Sequence, residues 1–301
     1  MFHHKDTLQS TINRLNEFVS RSTISKSDYD LVILNHSLKG LFDQNSDEWR
    51  KQYYRNTLQE LFLKELVEVH QWQDQFVVLK GMSFADYQLY QNLGQRLTSD
   101  IDLWVEDLAD FSQKIESLGF EIVANHKWKG NDYKIILSKF ISGIEIVVEL
   151  HSRVFYHVKN DQFKTKYSSL GFKVFELEDL LLHLVGHLAF QHTFLKLHWL
   201  LDIELFLNRY SDVIDWNRFR ILLVDYQLES SWKFTCLFLD MVFHDKKPQP
   251  WIYKFLVAPQ FILFPESNKV RYYLLKHLLK DQFQTSFRYN FWWILQQGWK
   301  K

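Results

Sequence analysis

Apolar residues in the first part of the chain recur with a period near 3.6. Leu8, Ile12, Leu15 and Phe18-Val19 form one such stripe, and Leu58, Leu61, Phe62, Leu66 and Val69 form another, so residues 1 to about 73 read as helices. Ser46-Asp47-Glu48, a hydroxyl followed by two acids, has the chemistry of a helix start. At Phe76 the pattern changes. FVVLKG is a short apolar run closed by glycine, as a buried strand entering a loop would be. Asp100 to Val105, Tyr133 to Lys139 and Gly143 to Val154 are three further strand expectations. Met82 to Leu93 reads as helix-compatible, and Leu108 to Leu118 as a helix closed by Gly119 in the manner of a C-cap glycine. From Glu176 the helical period returns in four successive stretches: ELEDLLLHLVGHLAF, LKLHWLLDIELFLNRY, IDWNRFRILLVDY and ESSWKFTCLFLDMVF. Pro248 and Pro250 break that run.

The expected fold class is therefore α+β. The β-rich part is expected over residues 74–175, with a helical region 1–73 before it and an all-helical region 176–301 after it. The composition agrees: 17% of residues are aromatic and there are only 9 Gly and 4 Pro, which suits long packed elements with few loops. No internal repeat and no low-complexity linker interrupts the chain.

Charge and cysteine content narrow the function. The chain of 301 residues carries 36 Lys+Arg against 36 Asp+Glu, and this balance speaks against a general nucleic-acid binder, which is usually strongly basic. The single cysteine, Cys236, excludes a disulfide scaffold and a cysteine-cluster zinc site, and suits a reducing cytoplasm. MFHHKDTLQS lacks the apolar core of a signal peptide. The longest uncharged stretch in the helical regions, Leu180 to Leu195, falls short of the roughly 18 apolar residues of a membrane span. The expectation is a cytoplasmic protein without a transmembrane segment.

Candidate chemistry lies in Arg96-Leu-Thr-Ser-Asp100-Ile-Asp102-Leu-Trp-Val. The chain has four acidic pairs at i, i+2: Asp28/Asp30, Asp100/Asp102, Glu176/Glu178 and Asp202/Glu204. Two of them fall at helix starts, where acids complement the helix dipole. Asp202/Glu204 falls inside a helical pattern, where i and i+2 diverge. Only Asp100/Asp102 lies in a strand frame, which puts both carboxylates on one face with Ile101 and Leu103 on the other. Adjacent carboxylates repel and are costly to desolvate, and a divalent cation removes both penalties. In GIEIVVELHSRV the same alternation puts Glu145, Glu149, His151 and Arg153 on one face. If that strand pairs beside the Asp100 strand, Glu149 completes a carboxylate triad. Two cations on three carboxylates suit an in-line displacement at phosphorus.

With these residues in view the chain resembles the uncharacterised bacterial nucleotidyltransferase family of the polymerase-β-like superfamily. The resemblance runs through Leu79-Lys80-Gly81, Tyr87, Arg96, Asp100-Ile-Asp102 and Glu149-Leu-His151. It continues through LEDLLLH at 177–183, His187, Leu200-Leu-Asp202-Ile and Ile214-Asp-Trp216, covering about residues 55–250. It implies a nucleotidyltransferase core built on a small mixed β-sheet with helices, Mg²⁺ (or Mn²⁺), a nucleoside triphosphate such as ATP as substrate, transfer of a nucleoside monophosphate to an unidentified acceptor, and release of pyrophosphate. It also implies that Asp100, Asp102 and Glu149 are catalytic and metal-binding residues. Lys80, Gly81, Ser83 and Arg96 then contact the nucleotide, and His151 and Arg153 lie in reach of substrate. The superfamily's adjacent Gly-Ser pair is interrupted here by Met82, and Gly81 precedes Asp100 by nineteen residues, farther than the family pattern. The departure leaves room for an alternative, a nucleotide-sensing or partner-binding module without turnover.

Several residues admit two readings. Gly81 also suits an ordinary strand-ending turn. Lys80 and Arg96 also suit solvated surface positions. His183 and His187, at i and i+4, have metal-ligand spacing, but packing is the expected role. Residues 267–301 carry seven Lys/Arg and one acid. Their stripe of Leu274, Leu275, Leu278 and Leu279 suits a docked terminal helix, or a helix on a membrane surface or RNA.

Overall fold

A computed structural model describes residues 7–128, 131–155, 157–158, 162–191, 193–194, 196–246, 258–264 and 269–281. Pro248, Pro250 and residues 282–301 lie outside the described set. The protein is mixed α/β, with a seven-stranded mixed sheet and eleven α-helices among the described residues. Two compact units are distinguished, residues 39–180 and residues 1–38 with 181–301.

The unit of residues 39–180 contains the sheet. Helix α3 spans Lys39–Phe42 and α4 spans Asp47–Glu68. Ser46 caps α4, its hydroxyl accepting from the Trp49 amide at 3.2 Å, and Asp47 and Glu48 face the positive end of the helix dipole. The strands are β1 Phe76–Val78, β2 Ile101–Val105, β3 Glu121–Trp128, β4 Asn131–Ile141, β5 Ile144–His151, β6 Thr165–Tyr167 and β7 Lys173–Phe175. Their order in the sheet is β3-β4-β5-β2-β1-β7-β6. The β2–β5 and β1–β7 pairs are parallel and the others antiparallel. Helix α5, Leu108–Ser117, begins at Asp107, whose carboxylate accepts from the Asp110 amide at 2.9 Å, and ends before Gly119 at φ +84°.

Alternation in β2 and β5 builds the core. Ile101, Leu103, Ile146, Val148 and Leu150 are all fully buried on one face, leaving Asp102, Glu149 and His151 on the other. Three strands were not among the sequence expectations. β6 and β7 are three residues each, too short for a period to register. β3 is an edge strand on which Ile122 and Val123 are both exposed, so its apolar pattern does not follow burial.

The helix expected over Met82 to Leu93 does not form. Gly81–Ala85 makes a single 3₁₀ turn, and Gln88 takes a left-handed φ of +47°, which stops helical propagation. The connection from β1 to β2 is held instead by a polar row on α4. Asn56 Nδ2 donates to the carbonyls of Leu93 (2.6 Å) and Arg96 (2.7 Å), and Gln59 Nε2 donates to that of Thr98 (3.3 Å). These buried amides fix the backbone leading into Asp100.

The other unit is helical. It contains α1 Leu8–Ser22, α2 Lys26–Asn35, α7 Leu197–Tyr210, α8 Trp216–Asp225, α9 Glu229–Phe243, α10 Pro259–Leu263 and α11 Lys269–Leu278. Helix α6, Leu177–Gly186, straddles the division at Leu180, and a π-type turn, His187–Gln191, follows it. Ile12, Leu15, Phe18 and Val19 of α1 are buried as their spacing predicts, and α1 packs on α7, α9 and α10. In α11 the leucine stripe is split: Leu275 and Leu279 are buried, whereas Leu274 and Leu278 are each 46% exposed. His183 and His187 are both buried, with ring centroids 5.9 Å apart, and His187 meets Trp199 edge-on.

A candidate metal and nucleotide site on the sheet

Parallel pairing of β2 with β5 sets Asp102 opposite Glu149 and Trp104 opposite His151. Because side chains repeat every second residue, Asp102, Glu149 and His151 share one face of adjacent strands. One donor atom from each lies within 4.8 Å of the others. His151 Nε2 is 3.1 Å from Asp102 Oδ1 and 3.6 Å from Glu149 Oε2. Asp102 is only 4% exposed and His151 5%.

Two lysines complete the cluster. Lys80, just past β1, places Nζ 3.3 Å from Asp102 Oδ2. Lys134 of β4 lies opposite His151 in the sheet and donates to Glu149 Oε2 at 2.6 Å. Asp100, one residue before β2, accepts from the Ser99 hydroxyl at 3.0 Å and stands outside the group of three converging donors.

The charges are strongly interdependent. Burial pushes the Asp102 carboxyl up, but the Lys80 charge and the hydrogen bond from His151 outweigh it and hold Asp102 well below the usual carboxylate range. Glu149 behaves likewise: burial raises it, and His151 and Lys134 bring it below its ordinary value. Burial would lower Lys80 and His151, yet the surrounding carboxylates raise both. Asp100 moves the other way, raised first by burial and then by the Asp102 charge. The cluster thus favours the ionised forms of Asp102 and Glu149 and the charged form of Lys80.

The donor set fits a divalent cation. Two carboxylates supply hard oxygen ligands, and the imidazole adds a nitrogen that first-row metals such as Mn²⁺ accept more readily than Mg²⁺ does. A second acidic group, Glu176, Glu178 and Asp179, lies where α6 begins, as expected of acids at a helix N-terminus.

The remaining sequence expectations fall nearby but in varied surroundings. Gly81 opens the 3₁₀ turn at φ +66°, and a Cβ there would lie 2.9 Å from Thr98 Cγ2. Ser83 is fully buried and its hydroxyl has no partner among the described residues. Arg96 is buried too, its guanidinium donating to the Leu97 carbonyl and lying 5.8 Å from the centroid of the Phe84 ring. Arg153 is exposed, two residues beyond β5. Sequence reasoning did not single out Lys134 or Asn56. The buried Ile135 and Leu137 flanking the polar side of β4 are the signal that would have put Lys134 on the Glu149 face.

The sheet thus presents two carboxylates, an imidazole and two lysines from neighbouring strands of a mixed α/β protein. The model of the uncharacterised nucleotidyltransferase family matches residues 33–244, and the chain belongs to that family. No curated protein and no solved structure matches the chain. Among the described residues, no helix is long and apolar enough to cross a membrane.

Proposed function

We propose that this protein transfers a nucleoside monophosphate from a nucleoside triphosphate to an acceptor and releases pyrophosphate, on a polymerase-β-like core. The observation that carries the reading is the convergence of Asp102, Glu149 and His151 across β2 and β5, in a chain of the nucleotidyltransferase family. Asp102, Glu149 and His151 would hold Mg²⁺ or Mn²⁺, with Asp100 beside them. When bound, the cation supplies charge neutralisation at the phosphates in an in-line displacement.

The chain's own residues supply binding and orientation. Lys80, paired with Asp102 but still partly open to solvent, is placed to offer its ammonium to a phosphate oxygen. Lys134 holds Glu149 ionised and fixed across β4 and β5. The amides of Asn56 and Gln59 keep the strand entry at Asp100 in place, so the carboxylates are preorganised before substrate arrives.

The experiment is incubation of the full chain with α-labelled nucleoside triphosphates and Mg²⁺ or Mn²⁺, following pyrophosphate release and label transfer. Transfer that disappears in Glu149→Gln supports the reading, and absence of nucleotide binding with either metal ends it. A second reading, a nucleotide-binding module without turnover, is favoured by one observation. Asp102 and Glu149 are already matched by Lys80, Lys134 and His151 in one self-compensating cluster. Metal-dependent nucleotide binding with no pyrophosphate released would select it.

A further inference from the structure

Glu149 meets two partners through one oxygen. Its Oε2 accepts from Lys134 Nζ at 2.6 Å and lies 3.6 Å from His151 Nε2. Asp102 divides its partners instead: Oδ1 faces His151 at 3.1 Å, and Oδ2 faces Lys80 at 3.3 Å. Of the two lysines, then, Lys134 holds a carboxylate oxygen that also faces the imidazole, and Lys80 does not.

That difference matters for a divalent cation. A cation on Glu149 Oε2 sits about 2.1 Å from it. With the Lys134 ammonium 2.6 Å from the same oxygen, the two positive charges stand within about 5 Å of each other, even on opposite sides of it. Little water screens them, since the side chains of Lys134 and Glu149 are only 20% and 15% exposed. Charges this close repel far more strongly in such surroundings than in bulk water.

The charge balance points the same way. Asp100, Asp102 and Glu149 against Lys80 and Lys134 leave at most one net negative charge in the cluster. A divalent cation alone turns the surplus positive, and a largely buried cluster tolerates an unmatched charge poorly. A triphosphate brings anionic oxygens that can receive an ammonium. Lys134 reaches Glu149 from β4 on a flexible four-carbon stem, and an ammonium is a good phosphate partner.

We infer that Lys134 occupies the His151-facing oxygen of Glu149 until a nucleotide arrives, then passes its hydrogen bond to a phosphate oxygen. Divalent metal and nucleoside triphosphate therefore bind together, and metal alone binds weakly. The inference rests on the nucleotidyltransferase reading for its ligands, and the two fail separately.

The test reads metal binding, not turnover. Mn²⁺ affinity of the full chain without nucleotide is measured from the electron paramagnetic resonance of free Mn²⁺. Lys134→Met binds Mn²⁺ at least about tenfold more tightly than wild type, since the nearest repelling charge is gone. Lys134→Arg stays near wild type, and Lys80→Met gains less than Lys134→Met. Calorimetric titration with the α,β-methylene analogues of ATP, GTP, CTP and UTP gives the coupling. Mn²⁺ tightens at least one analogue in wild type, and by a smaller factor in Lys134→Met, because coupling between two ligands is reciprocal.

Nucleotide-free Mn²⁺ affinity unchanged in Lys134→Met, or raised as much by Lys80→Met, overturns the inference. So does wild-type Mn²⁺ binding that is as tight without an analogue as with one, a result that needs no variant to fold. Coupling reduced in Lys134→Met, with no label transfer by wild type, keeps the role of Lys134 and removes the transferase reading. Label transfer by a wild type whose Mn²⁺ affinity ignores the analogue does the reverse.

Discussion

Asp102 and Glu149 are direct partners across the parallel β2–β5 pair, and each carries its own lysine: Lys80 at 3.3 Å and Lys134 at 2.6 Å. The strand register brings the carboxylates together, and lysines from β4 and from the end of β1 make their closeness tolerable. A cation entering here competes with those ammonium groups, so binding and fold stability are linked at this point.

Asp102→Asn therefore does two things at once. On the proposed function, nucleotide transfer falls by about 100-fold or more, the scale of losing one preorganised charge-stabilising group. Stability falls as well, because Lys80 stays largely buried without its counter-charge. Adding Lys80→Met restores part of the stability and none of the activity. Chemical denaturation of the four proteins in a double-mutant cycle checks it; additive stability losses would show that the pair is not coupled.

Under the proposed function, His151 would set metal preference. With one imidazole and two carboxylates as ligands, Mn²⁺ binds more tightly than Mg²⁺, and His151→Ala narrows that difference, since oxygen donors alone discriminate less. Calorimetric titration of both metals into the wild type and the variant reads this directly. An unchanged Mn²⁺/Mg²⁺ ratio would take His151 out of the ligand set.

Gly81→Ala is destabilising for two reasons, the left-handed φ of +66° and the 2.9 Å approach of the new Cβ to Thr98 Cγ2. A loss of about 1–2 kcal/mol is expected from the backbone alone. Thr98→Ser removes the clashing methyl and recovers only the steric part. If Thr98→Ser recovers nothing, the contact with Thr98 contributes no strain.

His36, in the helical unit, is a pH-sensitive element of stability. Its Nδ1 accepts from the Leu197 amide at 3.1 Å, so Nε2 carries the hydrogen donated to the Leu263 carbonyl at 2.9 Å. The neutral ring satisfies both contacts. Burial, reinforced by the Lys196 charge and opposed by the Leu263 contact, takes its pKa down to about 4 from 6.5. The unfolded chain thus binds the proton more readily. The stabilisation is present in full above about pH 6.5 and is lost as pH falls from there towards 4, by up to about 3 kcal/mol. His36→Gln flattens this part of the stability profile, measured by urea melts at pH 4, 5, 6 and 7. Equal slopes for wild type and variant would assign the acid sensitivity elsewhere.

Much of the site was legible in the chain because it depends on local periodicity. Alternation in Asp100–Val105 and Gly143–Val154 is enough to put Asp102 on one face of its strand, and Glu149 with His151 on one face of theirs. Caps at Ser46 and Asp107 and the apolar stripe of α1 are equally local. Lys134 and Asn56 were not legible, since each acts across a distance in sequence: fifteen residues to Glu149 and forty to Arg96.

By itself, then, the sequence determined the strand and helix periods, the faces they present, the family motifs and the residues available to chemistry. These follow from backbone geometry within a few residues. Only the tertiary structure decided that β2 and β5 lie side by side, that His151 joins Asp102 and Glu149 while Asp100 stands just outside, and that two lysines balance the carboxylates. It also decided that Met82–Leu93 winds into turns against the polar row of α4, and that α1 and α2 belong with the C-terminal helices. Strand order and helix partnership depend on which distant surfaces bury one another's apolar faces and satisfy one another's polar groups, and no local pattern carries that information.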